Sequence, residues 1–311
     1  MPHDHHHHHG HGHDHGHGSA GGGHGRAFAI GTALNVGFVV AEVVFGLAAN
    51  SMALLADAAH NLGDVLGLLL GWGAAWLGGL PPTRERTYGW GRSSILAALL
   101  NATILLIGVG AIGVEAVRRL LAPVPVTEVT VILVAAAGIV VNGATALLFL
   151  RGRDRDINIR AQYLHMAADA GVSASVVVAG LLILLTGAQW LDPVVSLGIA
   201  IAIVVTTWGL LRESVDLAMD AVPGGVPHAD VQEFLASVPG VVEVHDLHIW
   251  GLSTTETALT AHLVCADGPN GHSLHAVTHE LRDRFGIGHA TIQVETGDDA
   301  ELCRLRPHDV V

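Results

Sequence analysis

NSMALLADAAHNLGDV (residues 50–65) and YLHMAADAGVSASVVV (residues 163–178) decide how this chain is read. Both are apolar stretches, and each carries the pattern His-x-x-x-Asp: His60 with Asp64, and His165 with Asp169. In a helix, four residues turn about 400° and rise ~6 Å, so each pair shares a face. An Asp at the centre of a membrane helix costs ~2.5–3.5 kcal/mol to insert, which makes an ionisable residue there a functional candidate. One isolated pair is as readily a helix-to-helix hydrogen bond. Two pairs on helices of opposite direction point to a shared site.

Working outward, six apolar segments stand near residues 27–49, 52–80, 93–121, 127–150, 160–187 and 190–211. Each reaches the ~20 residues needed to cross ~30 Å of hydrocarbon. The second and third are long enough to tilt, and the short connections favour antiparallel neighbours. With ~1.5 Å of rise per residue, His60 and Asp64 lie about 18 and 12 Å from the inner end of the second segment. By the same count, His165 and Asp169 lie about 9 and 15 Å from the inner end of the fifth, so the pairs overlap in depth. Asp57, one turn before His60, fits either the outer mouth of that site or a structural role. Glu42, Asn35, Asn101, Glu115 and Asn142 read as interhelical hydrogen-bonding groups. Gly31, Gly37 and Gly46 read as positions of close helix packing.

Composition agrees with a membrane core and aqueous ends. Charged residues make up 14% of the 311, against roughly 25% in soluble domains. The net charge of −13 argues against nucleic acid, which needs a basic face, and suits a protein that handles cations. Two cysteines, Cys265 and Cys303, cannot form a disulfide framework and fit a reducing compartment. All basic residues are Arg, a composition that fits a GC-rich bacterial genome. Residues 1–26 hold 11 of the 22 His among Gly and Asp. Such a tail has nothing to bury and is expected to be disordered, and it lacks the features of a signal peptide. Arg26, Arg84, Arg86, Arg92, Arg151, Arg153, Arg155, Arg160 and Arg212 fall on one side of an alternating six-segment topology, and only Arg118 and Arg119 on the other. The positive-inside rule then puts both termini in the cytoplasm, and a bacterial inner membrane is the expected location.

Residues 213–311 change character. Pro223, Gly224, Gly225 and Pro227 break the last membrane helix. Residues 228–238 read as a helix, 241–250 and 257–265 as strands, 272–285 as an amphipathic helix with Leu274, Val277, Leu281 and Phe285 on one stripe, and 289–295 as a closing strand. The expected architecture is an all-α six-helix membrane bundle at 27–212, after the tail at 1–26, followed by an αββαβ α+β domain at 213–295 and a C-terminal tail at 296–311. His272, His275 and His279 read as a solvated helix face. HELRD (279–283) lacks the second His of a zinc protease, and no phosphate-binding GxxxxGK[ST] loop is present, so neither an enzyme nor an ATP-driven pump is expected.

Two imidazoles and two carboxylates suit a tetrahedral Zn²⁺, and the two anions offset its charge in a buried site. Zinc needs neutral His and ionised Asp, so binding displaces protons. Filling by either Zn²⁺ or protons would couple their fluxes and export zinc in exchange for protons. Zn²⁺ is then substrate, with no separate cofactor. The alternatives are a passive divalent-cation channel lined by the same groups, or a membrane-bound zinc sensor or store.

Beyond the two opening stretches, RTYGWGRSSILAAL (86–99), VHDLHIWGLS (244–253) and HATIQVE (289–295) make the chain resemble the cation diffusion facilitator family, in its zinc-exporting branch, from about residue 27 to 295. The resemblance implies a homodimer, proton antiport by alternating access, and His60, Asp64, His165 and Asp169 as the transport ligands. It implies that His60, where other members have Asp and accept cadmium, favours zinc. The loop PPTRERTYGWGR (81–92) lacks the His and Asp of a further metal site found in some members. The resemblance also implies a metallochaperone-like cytoplasmic domain that binds zinc through His245, His262, His289 and Glu295. His248, Cys303 and His308 are alternative ligands there.

Overall fold

The computed structural model describes residues 24–150, 157–266 and 271–296, together with Cys303 and Leu305. The His-rich stretch before residue 24, Arg151, Arg153 and Arg155, and His308 lie outside the described residues. The elements are α1 (His24–Ala48), α2 (Met52–Gly78), α3 (Ser93–Leu121), α4 (Glu128–Phe149), α5 (Ile157–Thr186), α6 (Leu191–Ala218), α7 (His228–Ala236), β1 (Val241–Gly251), β2 (Thr257–Cys265), α8 (Gly271–Phe285) and β3 (Ile287–Glu295). They fall into two compact units, one of Ser19–Leu70 with Leu100–Leu211, the other of Gly71–Leu99 with Arg212–Val311.

The first unit is helical. Leu54, Val109, Val131, Ala135, Val176, Ile199 and Ile203 bring α2 to α6 into one apolar core. Small residues let the backbones approach. A Cβ at Gly138 would stand 2.8 Å from both the Phe38 ring and Ser173 Oγ, so glycine there lets α4 close on α1 and α5. Gly46 is similarly tight against Leu55, whereas Gly37 faces open space, so only one of those two expected packing glycines serves as one. Among the described residues, α2 to α6 each contain a run long and apolar enough to cross a membrane; α1 contributes a shorter apolar run, Asn35–Ala48.

The start of α2 is tied down from two directions. The first backbone N–H groups of a helix have no partner within it. Ser51 Oγ accepts from Leu54 N at 3.2 Å in the manner of an N-cap. Asp192, at the start of α6, accepts from Met52 N at 2.7 Å and from the Ser51 hydroxyl. The turn before it places Asn50 at φ 55°, and Arg119 donates to the Asn50 carbonyl while holding Glu115 at 3.2 Å. Arg119 is thus engaged by the α1–α2 turn. These ties hold the first turn of α2 against α6 and α3, one turn before Asp57.

In the second unit, β1 pairs antiparallel with β2, and β2 pairs parallel with β3. Leu247, Ile249, Leu259, Ala261, Leu263 and Ile287 face Val231 and Leu235 of α7 and Val277 and Leu281 of α8. The stripe expected on α8 is therefore the buried one, and His275 and His279 are exposed. Helix α6 extends past residue 211, where the apolar run ends, to Ala218. Hydropathy fails at Arg212, but helix propensity does not until Asp220 turns to φ 60° ahead of Pro223. The loop between α2 and α3 docks in this unit. Gly91 comes so close to the Leu252 carbonyl that a Cβ would lie 2.9 Å from its oxygen. Thr254 N donates to Ser94 Oγ at 3.0 Å, and Arg92 pairs with Asp220.

Candidate metal centres

The two His-x-x-x-Asp faces meet across α2 and α5. His60 Nε2 lies 3.0 Å from Asp169 Oδ1, and His165 Nε2 lies 3.3 Å from Asp64 Oδ2 and 3.7 Å from Asp169 Oδ2. One ligand atom each from His60, Asp64 and Asp169 fit within 4.8 Å of one another, and the imidazole rings stand edge to face with centroids 6.1 Å apart. Both imidazoles present Nε2, the atom a cation would take, to a carboxylate. His165 is not in that group of three, but its Nε2 reaches both carboxylates, so the donors nearby are two nitrogens and two carboxyl groups, without thiolate.

A third rung continues the ladder. Ser173, one turn beyond Asp169, donates to Asp57 Oδ2 at 3.0 Å. The α2–α5 contacts therefore run Asp64–His165, His60–Asp169, Asp57–Ser173, as antiparallel helices require. Burial deepens along it: His165 is 38% exposed, His60 22% and Asp169 2%, and Asp57 and Ser173 are fully enclosed. Glu42 of α1 is also fully buried, and it accepts from Asn61 Nδ2 at 2.9 Å. Asn61 and Ser173 were not singled out in the sequence. Their positions, beside His60 and one turn past Asp169, were the available signal.

In the second unit, His245, His262, Glu295 and Cys303 each offer a ligand atom within 4.8 Å of the others. His262 Nδ1 lies 2.9 Å from Glu295 Oε1 and 3.6 Å from Cys303 Sγ, and His245 Nε2 is 3.5 Å from Glu295 Oε2. Three of the four expected residues are brought together; His289 is not. It shares a sheet face with Glu295, but six residues at ~3.3 Å each place it about 20 Å along the strand. It is exposed, and its ring stands edge to face with Tyr88 at 5.3 Å. His248 pairs instead with Asp246 at 3.0 Å.

His245 reaches this face through an irregularity. Simple alternation would put it on the same side as Leu247 and Ile249, which are core. The register moves from His245↔His262 to His248↔Thr260, one extra residue on β1. This is a bulge, and Asp246 takes up the turn with φ 50°. The side chain is thereby aimed at His262, and their rings stand 5.1 Å apart.

Comparison with known proteins gives the chain its family. Residues 28–217 match the cation efflux transmembrane domain, and residues 223–297 match the cation efflux protein cytoplasmic domain. The chain belongs to the cation efflux family. Among its relatives in that family, the metal cation efflux system protein CzcD of Cupriavidus metallidurans is 35% identical across 87% of this chain and 86% of its own length. A cadmium, cobalt and zinc/H(+)-K(+) antiporter of Bacillus velezensis is 32% identical across 90% and 92%. Zinc transporter ZitB of Escherichia coli is 33% identical across 84% of each chain. As a cation efflux protein the chain is a transporter embedded in the membrane by several helices, and not an enzyme.

Proposed function

We propose that this cation efflux protein exports Zn²⁺ from the cytoplasm in exchange for protons, through His60, Asp64, His165 and Asp169. The observation that carries this reading is the convergence of the four side chains between α2 and α5. Both Nε2 atoms face carboxylates, so a cation entering there takes the place of the Nε2 protons; metal binding and proton release are one event. Two carboxylates neutralise the ion in a site where uncompensated charge is costly. Nitrogen and oxygen donors without thiolate favour release over retention. Relatives named as zinc transporter and as zinc/H(+)-K(+) antiporter support the substrate and the exchange.

In this reading α1 is the sixth spanning helix and the C-terminal unit is an αββαβ cytoplasmic domain. Both termini lie in the cytoplasm of a bacterial inner membrane, where the arginine distribution puts them. The protein works as a homodimer joined partly through that domain, whose small sheet gains stability from a partner face. His245, His262, Glu295 and Cys303 form a second zinc site there, and the His-rich tail gathers zinc locally.

Zinc flux into inside-out vesicles, with and without a pH gradient, tests the reading. Flux should saturate with zinc and rise when the vesicle interior is acidic. Unsaturable flux indifferent to the gradient would establish the channel alternative instead. Mass measurement in detergent tests the dimer, which should weaken on truncation near Asp220.

A further inference from the structure

We propose that Asp192 is a positioning residue that closes the outer end of the transport path by capping α2 from α6, and that export requires this cap to open. The proposal rests on zinc passing between α2 and α5. Asp192 lies at the start of α6 and is 1% exposed. Its carboxylate accepts from the Ser51 hydroxyl, from Met52 N at 2.7 Å and from Ala53 N at 3.3 Å. Ser51 Oγ accepts in turn from Leu54 N at 3.2 Å. The N–H groups of Met52, Ala53 and Leu54, which have no partner within α2, are thus all served. Two of the three are served by a residue of another helix. An anion at a helix N-terminus is further favoured by the helix dipole.

The same end is tied at all three of its connections. Thr127 N donates to the Ala49 carbonyl at 3.0 Å, Val126 N donates to Gln189 Oε1 at 3.0 Å, and Arg119 donates to the Asn50 carbonyl. Away from this end the α2–α5 ladder opens, from the enclosed Asp57 and Ser173 to Asp64 at 30% and His165 at 38% exposure. The ligand cluster is therefore open toward Asp64 and His165 and shut toward Asp192. Under the proposed function these are its cytoplasmic and outer ends. A cation that enters at the first and leaves at the second needs the outer closure undone. Polar ties suit a closure that reverses, because water replaces each partner when the helices part and little net is lost. Asp192 is the tie made to α2 itself, the helix that bears His60 and Asp64.

The test uses the full-length protein with Zn²⁺ as the probe. Ser51→Cys combined with Asp192→Cys puts two thiols where hydroxyl and carboxylate now touch, and a disulfide between them holds the outer end shut. In proteoliposomes zinc flux should fall ~20-fold or more on oxidation and return on reduction. Equilibrium zinc binding in detergent should stay within about threefold of the reduced form. Each single Cys variant, oxidised in parallel, corrects for Cys265 and Cys303. Flux undiminished by a disulfide that mass spectrometry detects overturns the proposal, since a purely structural tie loses nothing by becoming covalent. A second measurement needs no disulfide. Asp192→Asn turns an acceptor oxygen into an amide donor facing the N–H groups of α2. In right-side-out vesicles a membrane-impermeant thiol reagent should then label Ser51→Cys about 10-fold faster than it does beside Asp192. An unchanged labelling rate also overturns the proposal. His60→Ala run alongside keeps the two readings apart. Its retention of full zinc binding would remove the four-ligand site, whatever the cross-link does to flux.

Discussion

The membrane cluster and the C-terminal cluster use similar side chains and are assembled in opposite ways. His60, Asp64, His165 and Asp169 come from two continuous helices, and their four-residue spacing sets their faces before any packing occurs. His245, His262, Glu295 and Cys303 come from three strands and the chain beyond β3, and one of them faces the site only because β1 has a bulge. The first cluster has equal numbers of His and acid and a graded exposure, from 38% at His165 to 2% at Asp169. The second is enclosed more evenly, with side-chain exposures of 8% at His245, 12% at His262 and 4% at Glu295, and it includes a thiol. An ion in transit needs a way in and out and soft retention; an ion that stays gains from enclosure and a thiolate. Under the proposed function, the contrast corresponds to transport at the first cluster and retention at the second, and measurement can overturn it.

The largest effect should come from Asp169→Ala. It leaves two imidazoles and half the compensating charge, and zinc flux in proteoliposomes should fall by ~100-fold or more. Zinc flux at the unmodified rate, in both this variant and His60→Ala, would remove the α2–α5 cluster from the transport path. His60→Asp should be milder and more informative. An oxygen-richer site with one more negative charge suits larger ions, so the cadmium-to-zinc or manganese-to-zinc flux ratio should rise on the order of tenfold while zinc still moves. An unaltered ratio would show that selectivity is set elsewhere.

At the second cluster, His262→Ala should weaken zinc retention by the full-length protein ~10-fold and leave maximal flux within about twofold. His289→Ala should do neither, because it stands beside Tyr88 and away from Glu295. Equal losses from the two substitutions would restore His289 as a ligand. The smallest effect concerns the thiols. Burial pushes the Cys265 thiol up, so little thiolate is present at neutral pH and its alkylation should be slow. Zinc should protect Cys303 from alkylation and leave the Cys265 rate unchanged, read by mass spectrometry. Equal protection would place the metal somewhere other than beside His262.

The sequence by itself determined the periodic parts of this protein. Helical faces follow from a fixed turn per residue, so His60 with Asp64 and His165 with Asp169 could be paired from spacing, and the meeting of the two pairs from counting depth. The stripe of Leu274, Val277 and Leu281 on α8 was legible for the same reason, whereas the register that puts His262 and Glu295 on one face across β2 and β3 was not. Tertiary structure decided what has no period. The bulge at Asp246 reverses the face of His245 by one inserted residue, and parity cannot show an insertion. Parity gave His289 the right face but not its distance from Glu295. The end of α6 escaped because hydropathy and helix propensity stop at different residues. Glu42 and Asn61 come from separate helices, and nothing in the spacing of either says that they meet. Side chains on different helices meet only once the backbones have packed, as at Gly138, where α4 closes on α1 and α5.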